Sequence, residues 1–207
     1  MRAGLCKVLC QLASLLGLLL TVPAAAHAEQ LPLKSFRTTH GLLSDSVNCI
    51  VQDSRGFLWF GTSFGLSRYD GYGFTHYAVK EGLSYPNVNG LIETRGGAYW
   101  VCTNGGGVFR FNPSGEASTR FTAYPVGDQP ATNRVNNLFE DRGGRIWAGT
   151  DAGLFRLDSE GAGKFIPVAL GVPSHPEQEV QVWEFVEDGE GSLWISTKFG
   201  LVRCLPD

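Results

Sequence analysis

His40, His76 and His175 are the residues best able to bind a metal or act as a base near neutral pH, and they stand far apart in the chain. They show neither metal-ligand spacing nor a paired nucleophile motif. Acid–base hydrolysis of a glycoside needs two carboxylates facing one site. Here the acids recur instead at one repeated place: Asp53, Asp141 and Asp188 each stand six residues before a tryptophan, with glycine three residues after the acid. That spacing makes a tight hairpin, because Asp bonds the turn's own backbone and Gly accepts positive φ. The sequence thus presents no catalytic residues, no metal site and no cofactor motif. The chemistry left to it is recognition.

The elements that carry these turns are four copies of one unit. Trp59, Trp100, Trp147 and Trp194 fall at intervals of 41, 47 and 47 residues. Twelve residues before each is a valine (Val47, Val88, Val135, Val182), three before is a glycine, and three after is a threonine (Thr62, Thr103, Thr150, Thr197). Thr94 is the one departure from Asp at the sixth position before, and Arg68, Arg110, Arg156 and Arg203 close each copy. Fixed-period repetition on this scale marks a stacked-repeat architecture.

Each copy reads as short strands. Apolar and β-branched runs begin at each valine, and the tryptophan lies on a second strand. A glycine-containing turn leads to a third strand, and a fourth is predicted over 74–78, 121–124 and 165–168. Four antiparallel strands every 40 to 50 residues form a propeller blade, so the expected fold is all-β, with about four blades in an open arc or partial ring. A Trp buries on the order of 200 Å², worth about 5 kcal/mol at roughly 25 cal/mol per Å². A sheet with such a face needs a neighbour to cover it. The expected blades are about 40–80, 81–125, 126–169 and 170–207. Residues 33–39 are read as a stray outer strand able to complete the last blade, which stops after its third.

Residues 1–28 are set aside as a secretory signal peptide: Arg2 and Lys7, an apolar run over 8–22, Pro23, and small residues at Ala26 and Ala28. That run is short for a bilayer span. Without Arg2 and Lys7 the remainder, 29–207, has 15 basic against 20 acidic side chains, a formal charge of −5. No basic stripe appears, so nucleic acid is not an expected partner, and no second apolar run approaches membrane length. The expected location is periplasmic or secreted. The odd set Cys49, Cys102 and Cys204 argues against a disulfide framework, and each is read as a small buried strand residue.

The pattern V-N-x-I-x-Q/E-D-x-x-G-x-x-W-x-G-T-x-x-G-L-x-R, fullest over 47–68, resembles the two-component regulator propeller repeat. The lead-in segments at Gly41-Leu42-Leu43-Ser44 and Gly82-Leu83-Ser84 fit it too. The resemblance implies the extracytoplasmic, ligand-sensing propeller of a two-component or diguanylate cyclase sensor. Well-known branches respond to carbohydrate breakdown products. It also implies further blades, a membrane helix and an output module, so the stretch is expected to be the front portion of such a sensor or a truncated copy.

Within a repeat, residues that recur serve the blade. Asn48, Asn89 and Asn136 recur, with Trp183 in the last copy. The asparagines are expected to bond between blades, and Trp183 is assigned to core packing. Residues that differ between copies at one shared location are the ligand candidates. The turn after each threonine and the entry to each first strand lie on the same face, around the channel mouth. They supply Phe64, Asn87, Asn104, Arg134, Asp151, Gln181 and Lys198, a mixture of aromatic, amide and both charges suited to a polar small molecule such as an oligosaccharide, or to a protein surface. Two readings compete. One is a secreted sialidase-like propeller hydrolase, suggested by a superficial likeness of Asp-x-x-Gly-x-x-Trp to the Asp-box. That enzyme needs an arginine cluster, and Arg134 has no arginine companion at its equivalents. The other is an interaction scaffold or inactive gene fragment.

Overall fold

The computed structural model describes residues 31–158, 163–172 and 179–205. The expected signal peptide lies outside them. Residues 31–35 form part of a first unit and are exposed without regular structure; the second unit begins at Phe36.

The second unit holds four antiparallel sheets in sequence order. The first is β1 (Val47–Gln52), β2 (Leu58–Thr62), β3 (Gly65–Tyr69) and β4 (Phe74–Tyr77). The second is β5 (Val88–Glu93), β6 (Tyr99–Thr103), β7 (Val108–Phe111) and β8 (Phe121–Tyr124). The third is β9 (Val135–Glu140), β10 (Ile146–Thr150), β11 (Gly153–Leu157) and β12 (Phe165–Val168). The fourth has three strands, β13 (Val182–Glu187), β14 (Leu193–Thr197) and β15 (Gly200–Cys204). Each sheet packs on the next, making a partial propeller arc.

The expected strand over 33–39 does not form. Residues 31–37 carry no strand, and Thr38–His40 makes a single 3-10 turn. The carbonyl of Arg37 accepts from both His40 and Leu42, so the chain folds back locally instead of extending. Val79–Glu81 repeats this device, with the Ala78 carbonyl accepting from Glu81 and Leu83. The segment is therefore the lead-in of a copy, and Leu42 and Leu83 are its buried anchors.

Repeated residues link each sheet to the next. Trp59, Leu66 and Tyr77 of the first sheet pack against Val88, Leu91, Tyr99, Val101 and Phe111 of the second. Trp100 and Trp147 play the same part at the next two interfaces. Approach is close: a Cβ on Gly61 would lie 2.9 Å from Val88 Cγ1, and one on Gly149 would lie 2.8 Å from Val182 Cγ1. Only glycine fits under the neighbour's valine at those two places. A register shift at the start of each first strand marks a bulge, which re-aims a side chain out of the ladder. In the first three sheets that side chain is the asparagine expected to bond between blades. Asn48 donates to the Val88 carbonyl (2.8 Å), Asn89 to that of Val135 (2.9 Å) and Asn136 to that of Val182 (3.0 Å). At the far end of the strands, glutamates Glu93, Glu140 and Glu187 accept from the turn amides of Ser54, Arg95 and Arg142 in the preceding sheet.

The turn acids do more than close hairpins. One Asp53 oxygen accepts from the amides of Arg55 and Phe57, and the other accepts from Trp59 Nε1 at 2.9 Å. Asp141 and Trp147 (2.9 Å) and Asp188 and Trp194 (2.8 Å) repeat the bond. Thr94 supplies the turn half alone, through its hydroxyl on Ala98. Burial pushes the Asp53 pKa up, but the hydrogen bonds from Trp59, Tyr99 and the two amides outweigh it and hold the group below its ordinary value. Tyr99, desolvated and donating to Asp53, is pushed up to about 12.

Trp183 corrects the expectation of core packing: it is 48% exposed. It occupies the bulge position from which asparagine reaches the following sheet, and it lies on the fourth sheet.

Candidate functional site

In the last three copies the turn after the threonine and the residue entering the first strand meet through the backbone. Asn104 N–H donates to the Asn87 carbonyl, Asp151 N–H to that of Arg134, and Lys198 N–H to that of Gln181. An isolated bridge pairs Asn104 with Arg134 across the second and third sheets. These bonds hold candidate side chains from two sheets at one end of the strands.

Asn104, Arg134 and Asp151 line a cleft of about 440 Å³ together with Tyr85, Gly105 and Pro130. Arg134 Nη1 lies 3.9 Å from Asp151 Oδ2, a long ion pair with more than half of the arginine side chain exposed. Asp151 Oδ1 also accepts from Asn136 Nδ2 at 3.2 Å, so an interblade asparagine steadies the carboxylate. Asn87 accepts from Asn48 Nδ2 at 3.3 Å and stands beside the cleft, not in its lining. Gln181 and Lys198 belong to the next sheet, where the Lys198 ammonium stands 6.0 Å from the centre of the Phe199 ring. Phe64 is 62% exposed on the first sheet. The candidates thus divide: three share a cleft, and four stand around it on neighbouring turns.

Tyr85 has no repeated motif to mark it, and sequence reasoning passed over it. Its clue is the longer glycine turn of the second copy. A Cβ on Gly105 would lie 2.7 Å from Tyr85 Cε1, and one on Gly106 would also collide with Tyr85. Gly105 takes φ of +130°. The extra glycines make room for a half-exposed phenol ring against the backbone at the cleft wall.

A separate cleft of about 760 Å³ lies on the third sheet between Val126, Phe155, Phe165 and Pro167, with Asp128 and Lys164 at its lining. Among the described residues, no group of three or more His, Cys, Asp or Glu is placed to hold a metal ion. No helix there is long and apolar enough to cross a membrane. Cys102 is buried, while Cys49 and Cys204 are half-buried.

The fold is that of a propeller-type repeat protein, with a polar cleft at one end of its strands. Two stretches, residues 41–64 and 129–152, match the family model of the two component regulator propeller. Among solved structures, the chain is similar to the extracellular domain of the hybrid two component system BT3049 from B. thetaiotaomicron, with 28% identity and a TM-score of 0.63. The match covers 79% of this chain and 23% of that one. The extracellular domain of BT4673 from the same organism matches at 22% identity and TM-score 0.63, over 81% of this chain and 22% of that one. Virginiamycin B lyase from Staphylococcus aureus matches at 18% identity and TM-score 0.55, over 74% of this chain and 49% of that one; this likeness is one of fold. The chain therefore spans less than a quarter of those two extracellular domains. No curated protein matches it.

Proposed function

We propose that this chain is a non-catalytic, extracytoplasmic sensing module of a two-component-type signalling protein. A polar small molecule binds at the cleft of Tyr85, Asn104, Arg134 and Asp151. The observation that carries this reading is that residues the repeat does not require converge on one cleft. The recurring acids, tryptophans and asparagines are engaged by turns and sheet contacts, whereas these four line a cleft open to a ligand. An aromatic wall with a guanidinium, a carboxylate and an amide suits a hydroxyl-rich ligand with one apolar face, so an oligosaccharide is the first class to test. The likeness to extracellular domains of two component systems supports the sensing role and the location. Occupancy would act by favouring one packing of the blades on partner domains over another.

The test is a calorimetric titration of the folded chain against a panel of neutral and acidic oligosaccharides. Saturable heat that is reduced about tenfold in affinity by Tyr85→Ala, and similarly by Arg134→Ala, supports the assignment. Silence across the panel, or binding indifferent to both substitutions, contradicts it.

A further inference from the structure

We propose that a second cleft, at the opposite end of the strands, binds an oxyanion group: carboxylate, sulfate or phosphate. It is lined by the β5–β6 and β7–β8 turns of the second sheet and by Arg55 of the first, and its volume is about 610 Å³. The mouth cleft is built on the β6–β7 turn, at the other end of β6. The two sites therefore lie at opposite strand ends, and this inference does not depend on the sensing role.

Three arginines line the second cleft, Arg55, Arg110 and Arg120, with Glu93 the one acid. Glu93 is engaged elsewhere, since its two oxygens accept from Ser54 N (2.6 Å) and Ser54 Oγ (2.8 Å). Three guanidinium groups against Glu93 and the Asp53 carboxylate beside Arg55 leave the cleft net positive in a chain whose formal charge is −3.

Arg110 is the repeat's own arginine, whereas Arg55 and the turn that carries Arg120 depart from the repeat. Arg55 stands where the other copies have Gly96, Gly143 and Glu190. Arg68, Arg156 and Arg203 hold their guanidinium groups 5.9, 5.8 and 5.1 Å from the ring centre of their own sheet's tryptophan. Arg110, their counterpart, is exposed and lines the cleft. Arg120 ends the β7–β8 turn, which spans 112–120 where the first sheet uses only 70–73.

Two of the guanidinium groups are also fixed in advance. Arg55 Nη2 donates to Tyr99 Oη at 3.1 Å and lies 3.5 Å from Asp53 Oδ2. Arg120 Nε donates to the Gly115 carbonyl at 3.0 Å, with its guanidinium 5.5 Å from the centre of the Tyr77 ring. A planar guanidinium pairs with two oxygens of one anion, and fixing it beforehand lowers the ordering cost of binding. Ser114, Thr119 and Thr122 add hydroxyls along the same lining.

The test titrates the full chain with sodium sulfate, inorganic phosphate and citrate at low ionic strength, followed by calorimetry, with sodium chloride at matched ionic strength as control. The expected result is saturable binding of at least one anion, weakened about tenfold by Arg110→Ala and unchanged by Lys80→Ala, which removes an exposed charge outside the cleft. Arg110 is exposed, so its removal spares the fold. Ranking the three probes identifies the preferred oxyanion. An identical response to chloride, equal losses from Arg110→Ala and Lys80→Ala, or no binding of any probe overturns the proposal.

Discussion

Trp59, Trp100 and Trp147 are 0%, 6% and 8% exposed, whereas Trp194, fourth in the same series, is only half-buried. All four sit at the same place in the repeat, and Trp59, Trp147 and Trp194 each donate to the acid six residues earlier. What differs is the neighbour. The first three face a following sheet, and on the fourth Val186 and Leu201 are 60% and 65% exposed. The motif places the indole on a face, and the next copy makes that face a core. The bulge position tells the same story: three asparagines reach a neighbouring carbonyl, while Trp183 lies exposed.

The largest expected effect tests that contrast. Trp59→Ala should cost about 3–5 kcal/mol by loss of burial and a residual cavity, whereas Trp194→Ala should cost roughly 1–2 kcal/mol. Denaturant midpoints of the two variants provide the check, and equal losses would break the comparison.

Next comes the acid beneath the indole. Asp53→Ala strands Trp59 Nε1, Tyr99 Oη and two turn amides, and should cost about 1–3 kcal/mol, more than Asp188→Ala on the fourth sheet. The folded pKa values of Asp53, Asp141 and Asp188 lie below the ordinary 3.8. Their stabilisation is therefore complete above that pH and is lost as pH falls through the folded values. Denaturant stability measured from pH 6 down to 2 should drop below about 3.8, and the drop should be shallower in Asp53→Ala. A flat acid limb in the parent protein would contradict this.

The smallest contrast is at the bulge. Asn89→Ala should cost about 1 kcal/mol for one lost bond between sheets. Trp183→Asn should change stability by less than about 0.5 kcal/mol. A marked gain or loss at Trp183 in urea unfolding would show a partner that the contrast leaves out.

Much of this was legible in the sequence because one pattern is written four times. The strands beginning at Val47, Val88, Val135 and Val182, the Asp-to-Gly turns and the interblade asparagines follow from recurrence. What recurrence cannot carry is any contact that depends on a unique neighbour. Tyr85 lies in the connection between two copies, and only the clash it would have with a side chain at Gly105 reveals its place. Trp183 looked like core because its apolar character was visible, while the sheet needed to cover it was not. The 33–39 strand was inferred from a need for closure, but local bonds to the Arg37 carbonyl decided otherwise. Of the candidates singled out by comparing copies, Asn104, Arg134 and Asp151 share a cleft. Phe64, Asn87, Gln181 and Lys198 met the same criterion, yet they stand on adjacent turns outside its lining.

Amide hydrogen exchange resolved by strand tests most directly whether a following sheet is what stabilises each tryptophan-bearing one. Slow exchange in β6 and β10, with β14 opening markedly faster, is the predicted order. Protection in β14 equal to or greater than that in β6 and β10 would contradict the account.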